Sequence, residues 1–457
     1  MKSLPILVFT LLLFTICAFG KPNFVFVMAD DCTWYEMGCY GGQAKTPHFD
    51  RLAAEGMRFD NCFQSSSTCS PTRHNIFTGQ YPFKTGAYPN HTFAKDGTKS
   101  VAHYLEPLGY RVAMSGKRHI SPREVFPFEY LGKGQDPEFD KIEAFVKECS
   151  DAGTPFCLFV TSKEPHAPWD KGDPSVYPLD EIVLPATFVD TPETREAMSR
   201  YLAEISYFDW QIGETMSLME KYGLWDNTLF VAATEQGTSL PMAKWTCYDA
   251  GIKAGMVARW PGKIEKGSVS ASLVEYADLV PTFVAAAGGE LDLVLDGKSL
   301  LGVFAAPDTE VRDYVFSQTT TKGILNGSEH YGIRSVRSLN YKYIWNFTPE
   351  VKYQNVVTIE EDTKWGESTV FNSWKERAKT DAAAAKKVRA YEWRPEEELY
   401  LVSDDVDELN NLADSPEYAD VKAKLRKRMV DYMGEVGDLG QESEENAHLY
   451  QAKNRGK

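Results

Sequence analysis

The run Asn23-Phe24-Val25-Phe26-Val27-Met28-Ala29, apolar at every position after Asn23 and ending abruptly on Asp30-Asp31, restricts the possible folds more than any other stretch. A strand with one wet face would alternate, whereas a continuous apolar run belongs to a strand covered on both faces, as in a parallel sheet between helical layers. Phe156 to Val160, leading to Glu164-Pro165-His166, and Leu229 to Ala233, leading to Glu235-Gln236-Gly237, repeat the pattern. Open α/β sheets bind ligands in the crevice at the carboxyl ends of their strands, so three strands here deliver polar groups to one rim.

Between the second and third runs, Leu202, Ile205, Phe208, Ile212, Met216 and Met219 recur at helical spacing, predicting an amphipathic helix over Tyr201 to Tyr222. Further helices are expected over Phe49 to Glu55 and over Leu273 to Ala287, the latter broken by Pro281. Strand and helix in alternation predict a parallel or mixed sheet with helices on both faces. After Asp296-Gly297-Lys298 the texture shifts to Tyr- and Thr-rich alternation, as in Tyr331 to Arg337 and Tyr341 to Trp345, and a last helix is read over Lys422 to Met433. The expected division is a leader over 1–20, a large α/β unit over 21–311 and a smaller unit with an antiparallel sheet over 312–457.

The leader call rests on Lys2, the apolar run from Leu4 to Ala18 and the small-residue ending Ala18-Phe19-Gly20, which together read as a secretory signal. No later segment reaches the roughly 18 apolar residues of a membrane span, so the mature chain is expected to be exported, either periplasmic or secreted in a bacterium, or within the secretory or lysosomal lumen of a eukaryote. Seven cysteines remain beyond the leader, an odd number that singles out one special thiol while six could form disulfides; no pairing is assigned, and Cys157 reads as a small buried hydrophobe. A net charge of −16 excludes nucleic acid as the partner. An anionic substrate would need a locally basic pocket in such a chain, and the acidic runs of the last third (Glu360 to Asp362, Glu396 to Glu398, Glu442 to Glu445) are expected to be solvated.

Cys69-Ser70-Pro71-Thr72-Arg73 carries the most specific local signal. It resembles the sulfatase signature, in which Cys, Pro and Arg are spaced as Cys69, Pro71 and Arg73, and the likeness extends through Thr46-Pro47-His48, Gly116-Lys117-Arg118-His119, Glu164-Pro165-His166, Lys244-Trp245 and Ala258-Arg259-Trp260-Pro261-Gly262. The resemblance implies an alkaline-phosphatase-like α/β fold and hydrolysis of sulfate esters of a sulfated carbohydrate. It also implies that a formylglycine-generating maturation enzyme oxidises Cys69 to 3-oxoalanine (formylglycine). Hydrated, that aldehyde presents two hydroxyls, one to take up sulfate and one to expel it, replacing one hard step by two easier ones.

The same resemblance implies that Asp30 and Asp31, with residue 69, Glu235 and Gln236, hold a divalent metal, and hard carboxylate and amide oxygens suit Ca2+ or Mg2+ rather than zinc. Glu235-Gln236 departs from the family's usual Asp followed by Asn or His by one methylene on each arm. Arg73, Lys117 and Lys244 match the cations that offset developing charge on the sulfuryl group; His119 matches the acceptor of the hydroxyl proton during elimination, and His166 the donor to the leaving oxygen. His91, Arg123 and Trp169 are pocket candidates only. The stretch Gly116 to Phe128 looks similar to heparan N-sulfatases, although the chemistry at sulfur does not separate O- from N-sulfate. Two rivals remain: a phosphatase of the same superfamily, against which a Cys at position 69 speaks, and a non-catalytic glycan-binding protein, towards which only the Glu235-Gln236 change points.

Overall fold

The computed structural model describes residues 20–361 and 366–455, so the leader read over 1–20 lies outside the described residues up to residue 19. Nine strands form the large sheet: β1 Asn23–Met28, β2 Met57–Phe63, β3 Arg111–Gly116, β4 Glu129–Tyr130, β5 Phe156–Thr161, β6 Thr228–Ala233, β7 Lys253–Arg259, β8 Ser268–Ser270 and β9 Val274–Glu275. Their order is β4-β3-β5-β1-β6-β7-β2-β8, with β9 also on β2, and β7 alone runs against its neighbours. The three continuous apolar runs are the central strands β5, β1 and β6, buried at every residue.

Burial on both faces is visible residue by residue along β1. Val25 and Val27 feed one hydrophobic cluster, while Phe24, Phe26 and Met28 feed a second on the opposite face. Each such side chain contributes about 1.5–3 kcal/mol by leaving water, so a polar residue anywhere inside β1 would disrupt one core or the other. This is why the acids begin only at the strand's end.

The helix expected from Tyr201 starts at Pro192 and runs to Lys221. Thr191 caps it by accepting from the Thr194 amide, Pro192 occupies the first turn where no amide partner is needed, and Ala197 and Met198 prolong the buried stripe upstream. Pro281 does not break a helix. The segment before it is β9 and a single 3-10 turn, and the helix Leu279–Ala286 holds Pro281 within its first turn. Spacing also missed the helix Phe139–Ala152, whereas the terminal helix expected over Lys422 to Met433 spans Ala419–Val436.

The second sheet is antiparallel: β10 Val315–Thr320, β11 Gly332–Arg337, β12 Tyr341–Asn346 and β13 Glu397–Leu401. The terminal helix covers it, with Tyr432 stacked on Phe316 at a ring separation of 3.9 Å. β10 also fastens the segment that leads into Cys69: the Gln318 amide donates to the Ser65 carbonyl at 3.0 Å, and Ser66 bridges to Gln318.

One expectation fails in this region. Glu398 and Glu444 do not belong to solvated acidic runs but are buried, Glu398 accepting from Tyr248, Tyr400 and Asn346, and Glu444 pairing with the fully buried Arg334 at 2.7 Å. Strand alternation turns Glu398 inward, and a buried guanidinium draws Glu444 in. The six cysteines weighed for disulfides are all free thiols, as is Cys69, and Cys157 sits fully buried in β5 as a small hydrophobe.

Among the described residues no helix is long and apolar enough to cross a membrane.

Candidate active site

Cys69 is the first residue of the helix Cys69–Thr78, whose ten residues are all buried. Pro71 fits because the first turn of a helix has amides without intrahelical partners, and Gly79, at φ 68°, terminates the helix in the left-handed region. The four-residue spacing from Cys69 to Arg73 puts both side chains on one helix face. The helix N-terminus adds a partial positive charge beneath residue 69, favourable to an anion held there.

Four neighbouring strands complete the site from their carboxyl ends: Asp30 and Asp31 follow β1, Lys117 and His119 follow β3, His166 follows β5, and Glu235 and Gln236 follow β6. Lys244 comes from the loop between β6 and β7. Three buried acids here meet three cations. Lys117 contacts Asp30, Lys244 Nζ lies 2.7 Å from Asp31, and Arg73 donates to Glu235 Oε2 at 2.9 Å while lying 3.8 Å from Asp30. Arg73 also donates to the Lys117 carbonyl at 2.7 Å, which ties the helix Cys69–Thr78 to the end of β3.

Burial raises both carboxyls, yet the net shifts are opposite. It pushes the Glu235 carboxyl well up despite Arg73, whereas at Asp30 burial is outweighed by Lys117 and its other neighbours, which hold that carboxyl well below the usual range. Glu235 is thus compensated less fully by the cations than Asp30. Gln236 bridges the acids, its Nε2 lying 3.1 Å from Asp30 Oδ1 and 2.8 Å from Asp31 Oδ1, while its own Oε1 and Glu235 Oε1 are buried without a partner. Turning the amide over would aim its oxygen at the two carboxylates. Orphaned oxygens gathered around buried acids fit a hard divalent cation, the donor set expected from the sequence.

The expected proton carriers are also present. His119 Nδ1 lies 3.1 Å from Cys69 Sγ, and its Nε2 lies 3.0 Å from Nδ1 of His91. Burial, with Lys117 close by, holds both histidines below their usual pKa, so both are neutral near pH 7. His166 Nδ1 is paired with the Ala167 carbonyl at 2.7 Å, leaving Nε2 to face Asp31 at 3.6 Å. Asp30, Asp31 and His166 bring their ligand atoms within 4.8 Å of one another, a grouping the sequence reading did not make. Strained backbone concentrates here as well: Asp31, His91, His119 and Trp245 are four of the eight non-glycine residues with positive φ among the described residues.

The loop carrying His166 is pinned from behind. Trp169 donates to the Pro165 carbonyl at 3.0 Å and packs on Tyr201, so it supports the loop and does not line the cavity. Arg123 stacks over Tyr130 at 5.5 Å and is likewise outside the lining. Glu164 and Glu204 face each other as a buried carboxyl pair, and Glu204 Oε1 also accepts from the Lys171 amide at 3.0 Å. Burial pushes Glu164 up to about 7 and Glu204 up to about 9.

Both values exceed the 4.5 of an unfolded glutamate, so the native state binds more protons than the unfolded one. The stability they contribute is complete below about 4.5 and is lost as pH rises through about 7 and then about 9. Glu204→Gln keeps the acceptor for Lys171 and offers an N–H to Glu164. We expect it to flatten the decline of the unfolding temperature between pH 7 and 9, measured by calorimetry; an unchanged slope would contradict the shared proton.

Cys69, Lys117, His119, His166 and Lys244 line one cavity of 820 Å³. Trp245, Ile324, Leu325, Lys133 and Lys163 line it too, and sequence reasoning passed over them. Lys163, next to Glu164-Pro165-His166, and Trp245, within Lys244-Trp245, belong to or adjoin a quoted motif, whereas Ile324, Leu325 and Lys133 come from loops with no local signature.

The comparisons with known proteins bear on this geometry. A family model described as "Sulfatase" matches residues 22–289, and one described as "N-sulphoglucosamine sulphohydrolase, C-terminal" matches residues 242–382. An ulvan-active sulfatase of Formosa agariphila is 36% identical over 435 residues, 92% of this chain and 81% of that protein. Human N-sulphoglucosamine sulphohydrolase is 24% identical over 486 residues, 94% of this chain and 93% of that one. Among solved structures, a protein in complex with its substrate D-glucosamine-2-N,6-O-disulfate matches at TM-score 0.69 and 20% identity, covering 93% of this chain and all of that one. A phosphonate monoester hydrolase from Silicibacter pomeroyi matches at 0.70 and 17%, covering 92% and 96%.

These last two show the fold alone, alkaline-phosphatase-like as the resemblance implied. Family models spanning the site, a relative matched almost end to end, and a cysteine at a helix start among paired acids and cations lead to one conclusion: the chain belongs to the sulfatase family and is a sulfuric ester hydrolase.

Proposed function

We propose that this enzyme removes sulfate from a sulfated carbohydrate, with residue 69 acting as formylglycine and Ca2+ held by Asp30, Asp31, Glu235, Gln236 and residue 69. The observation that carries the reading is the meeting of Cys69, Lys117 and Lys244 on the wall of one cavity with Arg73 and the three buried acids that pair with these cations. Relatives named for ulvan, N-sulphoglucosamine and N-acetylglucosamine-6-O-sulfate chemistry support a carbohydrate substrate without choosing between an O- and an N-linked sulfate.

Oxidised by a maturation enzyme and hydrated, residue 69 supplies two hydroxyls on one carbon, so that sulfate can be taken up by one and expelled by the other. A bound divalent cation supplies Lewis-acid stabilisation of charge on the sulfuryl oxygens. Arg73, Lys117 and Lys244 are fixed where that charge spreads, and because they are already paired with acids they need little reorganisation. His119 Nδ1, facing residue 69, accepts the proton of the second hydroxyl; His166, whose Nδ1–H is engaged by the Ala167 carbonyl, delivers a proton to the leaving oxygen from Nε2 in its imidazolium form, which Asp31 at 3.6 Å favours against burial.

Export by the leader completes the reading, since sulfated polymers are met outside the cytoplasm. So does a division near residue 311, supported by the large sheet ending at Glu275 and the antiparallel sheet beginning at Val315.

Mass analysis of the peptide containing residue 69, after coexpression with a maturation enzyme, is expected to find the aldehyde; an unmodified thiol on an active enzyme would overturn the mechanism. Aryl sulfate is expected to be hydrolysed well ahead of aryl phosphate and phosphonate, and the reverse order would overturn the reaction class. Chelation is expected to lower kcat/KM by about 100-fold or more, because several kcal/mol of charge stabilisation are removed. Ca2+ should restore the activity better than Zn2+, and full activity after exhaustive chelation would sink the metal assignment.

A further inference from the structure

The charges along the strand ends are sorted. In spatial order across the sheet, β4 is followed by Lys133, β3 by Lys117 and Arg118, β5 by Lys163, β1 by Asp30 and Asp31, and β6 by Glu235. Lys117, Lys244 and Arg73 are matched by the three buried acids of the reaction centre. The other cations on the cavity wall have no such balance.

Among the described residues neither Arg118 nor Lys133 forms an ion pair, and the nearest acid to Lys163 Nζ is Glu164 at 3.9 Å. Among the described residues Glu367 is the only acid lining this cavity, in a chain of net charge −16. A surplus of cations in one cavity of an acidic protein is not inherited from composition.

The basic wall is also held in place. Arg118 donates to the Gly132 carbonyl at 2.7 Å and stacks 4.2 Å over the Tyr130 ring, while Glu138 fixes the 133–134 turn by accepting from the Lys133 and Gly134 amides at 2.7 and 3.0 Å. The same cavity is lined by the apolar side chains of Trp245, Ile324, Leu325 and Val356, with Leu325 57% exposed. The lining therefore offers surface for the carbon face of a sugar ring as well as cations for an anion. Adjacent strands lie about 4.8 Å apart, which puts the basic wall about 5–15 Å from the reaction centre, the span of one or two sugar units.

We propose that Arg118, Lys133 and Lys163 form a second anion subsite, which binds a carboxylate or sulfate group carried by the same glycan as the sulfate being removed. The preferred substrate is then a polyanionic oligosaccharide rather than a neutral sugar bearing one sulfate. This rests on the carbohydrate sulfatase reading given above. The exposed Lys133 and the half-buried Arg118 and Lys163 attract such a substrate without touching the reacting atoms, so the effect belongs to binding.

The test is calorimetric binding to the full-length protein carrying unmodified Cys69, using two disaccharides that share one sulfate and differ only in a second anionic group. The dianion is expected to bind about 10-fold tighter or more, a preference that shrinks at high salt and falls to about threefold or less in Lys133→Ala/Lys163→Ala. Both lysines lie at the surface, and Lys427→Ala on the far terminal helix serves as the control for loss of positive charge. Equal binding of the two ligands by the unsubstituted protein, or an unchanged preference in the double variant, would overturn the subsite. Uronate and sulfate as the second group, compared side by side, tell which anion is preferred. Failure of the underlying reading is seen separately, as absence of sulfate release from any glycan by the matured enzyme.

Discussion

Cys69→Ala is expected to leave a folded protein in which sulfate release falls by about 10^4-fold or more, because the group that takes up sulfate is gone while the cations that stabilise charge remain. Alanine fits the first position of the buried helix, and nothing in the packing depends on the sulfur beyond its contact with His119. Cys69→Ser sharpens the test. Serine offers one hydroxyl where the hydrated aldehyde offers two, so the sulfuryl group moves to Oγ, the leaving alcohol departs with a proton, and no second hydroxyl remains to expel sulfate. One equivalent of alcohol and a sulfated peptide are expected, without turnover. Alanine turning over within tenfold of the parent would remove residue 69 from the mechanism.

Arg73→Met is expected to be costly in two measurements. Arg73 is fully buried, donates to Glu235 and to the Lys117 carbonyl, and lies near Asp30. Breaking a buried pair from one side leaves the other charge without compensation, a loss of about 3–5 kcal/mol. Removing one fixed donor from a developing oxyanion typically lowers kcat by about 10^2–10^3-fold.

The cause can be separated from a packing defect by adding a divalent cation. A cation bound to the native state stabilises it by mass action, so Ca2+ should raise the unfolding temperature of the variant more than that of the parent. Equal shifts in the two proteins would mean that Glu235 and Asp30 do not share a charge deficit.

Two of the weaker sequence expectations show where local signals stop. Glu398 reads as part of an acidic run, yet one strand turns it into a set of tyrosine and asparagine donors. Pro281 reads as a breaker, yet only its place in the first turn matters, and that place depends on where β9 ends. His91 had no motif at all. It matters because the loop holding it and the end of β3 meet, placing its ring 3.0 Å from His119. Contacts of this kind depend on residues distant in the chain, and spacing carries no record of them.

The sequence by itself determined the central strands, because a segment apolar at every residue is stable only between two cores, and it placed Asp30, Asp31, Lys117, Glu235 and Gln236 at strand ends, because polar side chains begin where the apolar run stops. Tertiary structure alone decided which charges are matched and which are left over. Ion pairing depends on the spatial order of strands, in which β4, β3 and β5 precede β1, and chain order does not contain it. The basic wall beside the reaction centre is a product of that order, formed when distant loops were folded against one another.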